Sequence, residues 1–306
     1  MKTGTMEKLR LSIEQKLKKT FQDPVLCTQY SWWILEALTG QKKEQLITRS
    51  ADDLSEEQLN RLDDWMKEIL NQNKPLQYIL GSVPFLDLEI LVEPPTLIPR
   101  PETEELCADL ITQLTQLNNQ KIKILDIGTG SGCIALSLAK ALPNAQVYAT
   151  DIADAALELA QKNATHNNIK NISFIKSDVF QNIPTDLKFD LIVSNPPYIA
   201  PEEWKDLDPS VVEWEDRTAL IAQNKGLAII ERIVKQAPQF LKENKELAQH
   251  NVPQLLIEIG YTQGSAVSRL LENAGFDAIT IKEDLEGKDR IVTGRVKDVA
   301  IQSEKK

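Results

Sequence analysis

From residue 121 onward the chain alternates short apolar segments with amphipathic ones, and this pattern constrains the fold more than any other feature. It predicts strands over residues 122–127 and 146–151, each followed by a helix, over residues 131–141 and 154–166. Further strands are predicted at residues 172–176, 189–194, 254–259, 278–283 and 290–294. Such alternation is typical of a mostly parallel sheet covered by helices on both faces. We therefore predict a doubly wound α/β domain with a seven-stranded sheet.

The end of the sheet is predicted to depart from the parallel arrangement. Only residues 284–289 separate the last two predicted strands. This connection is too short for the crossover that a parallel pair requires. We therefore expect the last strand to run antiparallel to its neighbours.

The amino-terminal part of the chain, residues 6–73, carries the signals of helices. Asp23 before Pro24 is a typical helix start, and Gly40 is a typical stop. Together they predict a helix over residues 24–39.

A second helix is predicted from Ser55, which forms a capping-box pattern with Gln58. Its apolar face is predicted to comprise Leu59, Leu62, Met66 and Ile69, with Trp65 and Leu70 beside it. Trp32 and Trp33 in the first helix share the helical spacing of neighbouring leucines, which favours core packing over stacking on bases. We therefore predict a small helical module without catalytic residues.

A joint is predicted between the helical module and the sheet domain. The period-two pattern of residues 85–92 indicates a short strand or hairpin there. The predicted organisation is a helical domain over residues 1–82, a hairpin and linker over 83–98, the sheet domain over 99–297 and a frayed tail over 298–306.

Composition argues against several classes of function. The chain of 306 residues has 45 acidic and 35 basic side chains, so direct binding to nucleic acid is not expected. Its three cysteines and two histidines are not at metal-ligand spacing, so we expect no metal site, no disulfide framework and a cytoplasmic location. An apolar run of about eighteen residues is absent, as is an apolar amino-terminal segment, so we expect neither a membrane span nor a secretory signal.

An Asn-Pro-Pro-Tyr tetrapeptide follows the apolar segment 189–194, which predicts that Asn195 lies at the carboxyl edge of a buried strand. Pro196 and Pro197 have no N–H, so the turn is stiff and rich in carbonyl acceptors. The side-chain oxygen of Asn195 and the carbonyl of Pro196 would accept both hydrogens of one planar amine or amide. The ring of Tyr198 would cover its face. Taken alone, the tetrapeptide also fits a strand that simply ends in a proline turn.

A glycine-rich loop joins the first strand of the sheet domain to its first helix. It comprises Asp126, Gly128, Thr129, Gly130, Ser131 and Gly132. Glycines let the backbone adopt positive φ and approach a ligand closely. The dinucleotide fingerprint would need a glycine at Cys133, so a pyrophosphate at the helix start is disfavoured. The loop alone leaves open whether a nucleotide, a dinucleotide or nothing binds.

Acidic residues follow the next two predicted strands. Asp151 would accept hydrogen bonds from both hydroxyls of an unphosphorylated ribose. Asp178 and Val179 would read and flank an adenine. The alternative is that Asp126 and Asp151 only cap turns or helices. An adenosine without phosphates, next to a site for an NH2 group, indicates S-adenosylmethionine.

Pro99, Arg100 and Pro101 form a rigid turn, and a helix is predicted from residue 102 or 103 to about residue 117. The turn would lie over the ligand site, with Arg100 or its neighbours lining the mouth. A simple linker is the alternative.

These motifs resemble the class I S-adenosylmethionine-dependent methyltransferases, and within them the release factor glutamine methyltransferases. The resemblance covers nearly the whole chain. Its specific parts are residues 75–81, 96–104, 126–132, 195–198, 258–260 and 289–292. It implies transfer of a methyl group from S-adenosylmethionine to the side-chain amide nitrogen (N5) of the glutamine in the Gly-Gly-Gln loop of class I peptide chain release factors. S-adenosylhomocysteine would be the product.

The resemblance also implies roles for individual residues. Cofactor binding falls to Asp126, Gly128, Thr129, Gly130, Ser131, Gly132, Asp151, Asp178, Val179 and Asn195. Catalysis falls to Asn195, Pro196 and Tyr198, and substrate binding to these together with Pro197 and Arg100. The helical domain would recognise the release factor, and we expect a monomer.

Three other functions stay open. An amino methyltransferase acting on DNA or RNA bases is disfavoured by the formal charge of -10. A ribosomal-protein glutamine methyltransferase is disfavoured by the turn at residues 98–102, and a binding module without activity by the intact glycine loop. The sequence departs from the family at Glu215-Asp216, where Glu-Pro is frequent, and at residues 243–253, a polar stretch where a short glycine turn is usual.

Overall fold

The computed structural model describes residues 5–117 and 121–297, so the tail predicted over residues 298–306 lies outside the described residues. The chain divides into two compact units. The helical unit comprises Met1–Gly81 with Asp208–Trp214, and the sheet unit comprises Ser82–Leu207 with Glu215–Lys306.

In the helical unit, the helix at residues 24–39 begins and ends, and the helix after Ser55 begins, where the capping signals predict. Its helices are α1 (Met6–Leu17), α2 (Pro24–Thr39), α3 (Lys43–Leu46), α4 (Glu56–Gln72) and α5 (Leu76–Leu80), with a 3-10 turn at Ala51–Asp53. The side chain of Asp23 accepts a hydrogen bond from the N–H of Val25 at 2.8 Å, and Gly40 ends α2 with φ of 67°. Ser55 and Gln58 form the predicted capping box at the start of α4.

The core of the helical unit confirms most of the predicted apolar face of α4. Leu62, Met66 and Ile69 are buried in it. The placement of Leu59 in that face is wrong, because this residue lies in the first turn at the edge of the apolar stripe and is 43% exposed. Trp32 is buried as predicted, and Trp33 packs against the same core while partly exposed.

A short helix from much later in the chain, α9 (Pro209–Trp214), also belongs to the helical unit. The indole nitrogen of Trp214 donates to the carbonyl of Gln72 at 2.8 Å, and the ammonium of Lys74 lies 5.3 Å from the centre of the Trp214 ring. Nothing in the sequence predicts this contact, because Gln72 and Trp214 are 142 positions apart.

The sheet unit contains a hairpin and a large sheet. The hairpin strands are β1 (Ser82–Phe85) and β2 (Leu88–Leu91). The strands of the large sheet are β3 (Lys123–Ile127), β4 (Gln146–Asp151), β5 (Ile172–Lys176), β6 (Leu191–Ser194), β7 (Leu255–Glu258), β8 (Phe276–Glu283) and β9 (Asp289–Val296). The helices are α6 (Pro101–Leu114), α7 (Cys133–Ala141), α8 (Asp154–His166), α10 (Arg217–Leu220), α11 (Ala228–Phe240), α12 (Lys245–Gln249) and α13 (Gly264–Asn273), with a 3-10 segment at Pro201–Asp206.

The seven-stranded, mostly parallel sheet is confirmed, with the order β5-β4-β3-β6-β7-β9-β8. The strands from β5 to β7 in this order are parallel, and β9 runs antiparallel to both of its neighbours, as predicted for the last strand. The direction in which strands are added reverses between β3 and β6. Ligands of open α/β sheets bind at such a switch point, outside the carboxyl ends of the strands.

The central strand β6 shows why the sheet is buried on both faces. Leu191, Ile192 and Val193 are all fully buried, as expected for a parallel strand with helices on either side.

Helix α7 begins at Cys133 and not at Ser131, because Gly132 still has φ of 86°. No helix in the described ranges is both long enough and apolar enough to cross a membrane.

The hairpin is attached to the sheet unit through Asn163 of α8. The amide of Asn163 accepts from the N–H of Leu91 at 2.7 Å and donates to its carbonyl at 3.0 Å. The division between the two units accordingly falls between Gly81 and Ser82.

Candidate functional site

The carboxyl ends of the parallel strands carry most of the predicted site residues. Asp151 is the last residue of β4, Asn195 follows β6, and Glu258 ends β7. The glycine loop follows β3 and lies directly beside Asn195: a Cβ atom added to Gly128 would be 4.0 Å from the Asn195 carbonyl oxygen. The cofactor loop and the tetrapeptide, predicted separately, therefore meet at the switch point of the sheet.

The glycine loop has the backbone conformation that its glycines allow. Gly128, Gly130 and Gly132 have φ of 73°, 54° and 86°. The N–H groups of Gly128 and Thr129 both donate to the carbonyl of Thr150 at 2.8 Å, which anchors the loop to β4. A side chain at Gly132 is disfavoured by its φ of 86° and by a tight contact, because a Cβ there would be 3.1 Å from the Cβ of Ala160 in α8.

Asp126 lies at the base of this loop and is fully buried. The hydroxyl of Thr129 donates to its Oδ2 at 2.7 Å, whereas its Oδ1 has no hydrogen-bond partner among the described residues. Burial raises the pKa of Asp126 to about 7, partly offset by the Thr129 hydrogen bond. A buried oxygen without a partner is costly unless a ligand group bonds to it.

Asp151 shapes the same loop from the end of β4. Its Oδ2 accepts from the N–H of Gly130 at 2.9 Å, and its Oδ1 accepts from the N–H of Ala153 at 2.9 Å. Burial raises the pKa of Asp151, and these backbone hydrogen bonds lower it. A carboxylate has about four acceptor positions, so two remain for a ligand hydroxyl.

Asp178 and Val179 follow β5. Asp178 Oδ2 is paired with Nη2 of Arg232 at 2.8 Å. Val179 has φ of 55°, which is strained for a β-branched residue, and its carbonyl accepts a hydrogen bond from the Ser177 hydroxyl at 2.9 Å. Backbone strain of this kind clusters at ligand sites.

A chain of hydrogen bonds runs from Asn195 into the sheet. Nδ2 of Asn195 donates to Oγ1 of Thr103 at 3.1 Å, and the Thr103 hydroxyl donates to Oε2 of Glu258 at 2.7 Å. Thr103 and Glu258 are buried. Burial raises the pKa of Glu258 to about 7, while the Thr103 hydrogen bond and the charge of Arg290 lower it.

Tyr198 is held at both its side chain and its backbone. Its hydroxyl lies 3.5 Å from Oε1 of Glu258, and burial raises the pKa of the phenol. Its carbonyl accepts from Nε2 of Gln263 at 2.8 Å. A Cβ added to Gly226 would be 1.9 Å from the Tyr198 carbonyl oxygen, so only glycine fits there.

Arg100 precedes α6, which carries Thr103. Its Nη2 donates to both carboxylate oxygens of Glu215, at 2.7 Å and 2.6 Å. Burial raises the pKa of Glu215, and the charge of Arg100 lowers it. The next residue, Asp216, donates its N–H to the carbonyl of Pro95 at 2.7 Å, a hydrogen bond that the proline frequent in the family would not form.

The second departure from the family lies at the opposite edge of the sheet. Residues 243–253 contain α12, whose preceding residue Asn244 donates through Nδ2 to Oδ1 of Asp190 at 2.7 Å. Asp190 stands immediately before β6, whereas Asn195 follows it. The polar stretch is therefore remote from the site at the carboxyl edge.

The residues that support the tetrapeptide were not predicted from the sequence, namely Thr103, Glu258, Gln263 and Gly226. Thr103 and Glu258 fall within the stretches that carry the family resemblance, and this was the only indication that they are important. Their hydrogen bond could not be predicted, because it joins positions 155 apart. Within the described residues, no group of three or more His, Cys, Asp or Glu side chains is arranged to hold a metal ion.

Two family models and a solved structure are similar to parts of this chain. The family model of the Methyltransferase small domain matches residues 107–211, and that of the PrmC N-terminal domain matches residues 10–81. The catalytic domain of hMettl16, solved in complex with a 3'UTR hairpin, superposes with a TM-score of 0.50 at 17% identity, covering 87% of this chain and 91% of that chain. This likeness concerns the fold.

The fold and site together define a class I methyltransferase with an amino-terminal helical domain. The release factor glutamine methyltransferase of Lactococcus lactis is 45% identical over 241 residues, which are 78% of this chain and 84% of the relative. That of Flavobacterium psychrophilum is 39% identical over 285 residues, 92% of this chain and 96% of the relative. The chain belongs to the release factor glutamine methyltransferase family.

Proposed function

We propose that this protein transfers a methyl group from S-adenosylmethionine to the side-chain amide nitrogen of the glutamine in the Gly-Gly-Gln loop of class I peptide chain release factors. The observation that carries the proposal is the position of Asn195 directly beside the glycine loop, with its backbone carbonyl oxygen 4.0 Å from a Cβ added to Gly128. Methyl donor and amide acceptor would therefore meet at one point of the sheet edge.

The residues of the loop fit a cationic, adenosine-containing cofactor. Asp126 offers an oxygen without a partner, and Asp151 keeps two acceptor positions for the ribose hydroxyls. Val179 would flank the adenine and Asp178 would accept from its amine. Residues 128–132 would line the loop side of the site. When bound, S-adenosylmethionine supplies the methyl group on its sulfonium and leaves as S-adenosylhomocysteine.

The tetrapeptide fits a planar amide. Because Nδ2 of Asn195 is committed to Thr103, its Oδ1 is available to accept one N–H of the glutamine amide. The carbonyl of Pro196 would accept the other N–H. Pro197 and the ring of Tyr198 would flank the amide plane, and Arg100 would line the mouth of the site.

The low reactivity of an amide nitrogen explains why the site offers two hydrogen-bond acceptors to it. The lone pair of an amide nitrogen is delocalised, so the nitrogen is a poor nucleophile and the enzyme must supply positioning and polarisation. Two acceptors on the N–H groups raise the electron density on nitrogen and orient it. The surplus proton leaves after transfer, when the product nitrogen is acidic.

The roles of the remaining parts follow the same family. We propose that the helical unit recognises the release factor and that the enzyme acts as a cytoplasmic monomer without direct contact to nucleic acid. The formal charge of -10 supports a protein partner over a phosphate backbone.

Tandem mass spectrometry of a purified class I release factor, incubated with the enzyme and S-adenosylmethionine, tests the proposal. We expect one methyl group on the Gly-Gly-Gln glutamine, and its loss with Asn195→Ala. Methyl transfer to RNA, DNA or a ribosomal protein, with an unmodified release factor, would contradict the proposed substrate and leave the fold and cofactor in place.

A further inference from the structure

The orientation of the Asn195 side chain decides whether the site can hold an amide nitrogen. An asparagine side chain has an acceptor end, Oδ1, and a donor end, Nδ2, which have nearly the same shape. Only Oδ1 can accept an N–H of the glutamine amide. A rotation of the Asn195 amide by 180° would present its NH2 donors to the NH2 group of the glutamine amide, and the two sets of donors would repel each other.

The single proton of the Thr103 hydroxyl fixes this orientation. The Thr103 hydroxyl has a single proton, and an ionised Glu258 carboxylate can only accept. When Glu258 is ionised, the hydroxyl, which lies 2.7 Å from Oε2, gives its proton to that carboxylate. It can then only accept from Asn195, so Nδ2 faces Thr103 at 3.1 Å and Oδ1 is turned away from it.

Burial makes this constraint strong. Thr103 is 2% exposed and Glu258 is 1% exposed, so water does not offer the two groups alternative partners. The other oxygen of Glu258, Oε1, lies 3.5 Å from the hydroxyl of Tyr198. One buried carboxylate thus contacts Tyr198 directly and reaches Asn195 through Thr103.

We propose that Thr103 and Glu258 are positioning residues that fix the orientation of the Asn195 amide, with Oδ1 directed toward the substrate nitrogen. This inference rests on the proposed function and goes beyond it, because it gives a role to two residues that the proposed function assigns to neither substrate nor cofactor. The two residues act on the rate of methyl transfer through Asn195, and not on the binding of the release factor surface.

Steady-state kinetics of Thr103→Val and Thr103→Ser test the inference. Valine has nearly the shape of threonine but cannot accept from Nδ2, so the Asn195 amide loses the contact that directs Oδ1 to the substrate nitrogen and is no longer preorganised. We expect kcat to fall about 10-fold to 100-fold, with the KM for the release factor and the Kd of S-adenosylmethionine within about twofold of wild type. Serine keeps the hydroxyl and should restore kcat to within about threefold of wild type.

Thr293→Val is the matched control. Thr293 is also buried, lies on β9 of the same sheet and shares a hydrogen bond with Thr280 at 2.7 Å. It has no part in the proposed site, so its variant should keep wild-type kcat while losing similar stability. The melting temperature of each variant measures that loss.

Glu258→Gln gives a second measurement that does not depend on Thr103→Val folding. A glutamine presents either an acceptor or a donor to Thr103, so both orientations of Asn195 become populated. Its kcat should fall between those of wild type and Thr103→Val, again with unchanged KM. Wild-type kcat in Glu258→Gln, or in Thr103→Val, would overturn the inference, as would a Thr103→Ser variant as slow as Thr103→Val. Failure of the wild-type enzyme to methylate the glutamine would instead overturn the proposed function.

Discussion

The two halves of the site are built in different ways. The cofactor half consists of a glycine loop and of acidic residues at the ends of consecutive strands, and its hydrogen bonds join positions as close as Asp126 and Thr129. The substrate half is assembled from distant segments: Asn195 bonds to Thr103 across 92 positions, and Thr103 bonds to Glu258 across 155. The first half depends on backbone conformation, and the second on tertiary contacts that orient side chains.

The largest expected effect is the fall in kcat of Asn195→Ala, a change that affects the substrate half of the site and leaves the cofactor half intact. Asn195→Ala removes an acceptor for the substrate amide, so kcat should fall on the order of 100-fold. The Kd of S-adenosylmethionine should stay within about threefold of wild type, because the atom of Asn195 nearest an added Cβ of Gly128 is its backbone carbonyl oxygen, which alanine keeps. Kinetics combined with a cofactor titration check both values. A large loss of cofactor affinity would show that the halves are not separable.

Gly132→Ala changes the cofactor half of the site and leaves the side chains of the substrate half unchanged. Its added Cβ meets Ala160 and Leu136 at 3.1 Å, with φ of 86°, so the loop must shift. We expect cofactor affinity to fall about tenfold, corresponding to a cost of about 1–3 kcal/mol for a strained residue. Gly275→Ala is the control, since Gly275 has the same φ but no atom within 4 Å of an added Cβ. Equal cofactor affinity of the two variants would contradict a steric role of Gly132.

A pH profile tests the substrate half through Glu258. Burial raises the pKa of Glu258 to about 7. The groups that act on it include Thr103 and Glu102 on α6, Tyr198, and Arg290 on β9, and the buried thiols of Cys107 and Cys133 lie within its electrostatic reach. Below that pH the protonated carboxyl donates to Thr103, whose own proton then becomes free to face Asn195, so both amide orientations are populated.

The expected consequence is a fall of kcat by up to about tenfold between pH 8 and pH 6, as for one essential ionised group. Glu258→Gln should lack this step and show a flatter, lower profile. An unchanged step in Glu258→Gln would assign the pH dependence to another group, such as Asp126.

The smallest expected effect concerns the stability of the cofactor half without its ligand. Burial raises the pKa of Asp126 from 3.8 to about 7, so the folded protein holds this proton more tightly than the unfolded chain does. The stability from this group is present below pH 3.8 and is lost as the pH rises through about 7. Asp126→Asn should therefore raise the Tm at pH 8 on the order of 2–4 °C, with little difference near pH 4.

Thermal unfolding at the two pH values checks this, with Asp186→Asn at an exposed position of the same unit as control. A Tm difference that is the same at both pH values would show that the charge of Asp126 is not responsible.

The difference between the halves also explains what the sequence could predict. Period and spacing predicted the strands, the reversed β9, the glycine loop and the position of Asn195 after β6, because each depends on neighbouring residues. They did not predict the Arg100–Glu215 pair or the support of Tyr198 by Gln263, because the order of strands and the packing of loops bring these residues together. Helix α9 shows the same limit, since its place in the helical unit depends on Trp214 reaching Gln72.

The most direct test of the central claim is a crystal structure of the enzyme with S-adenosylhomocysteine and a peptide or release factor carrying the Gly-Gly-Gln loop. We expect the glutamine amide nitrogen within about 3.2 Å of both Oδ1 of Asn195 and the carbonyl oxygen of Pro196, beside the glycine loop. We also expect Nδ2 of Asn195 to remain hydrogen-bonded to Thr103. A glutamine bound elsewhere, or an Asn195 amide with its oxygen facing Thr103, would contradict the proposed site.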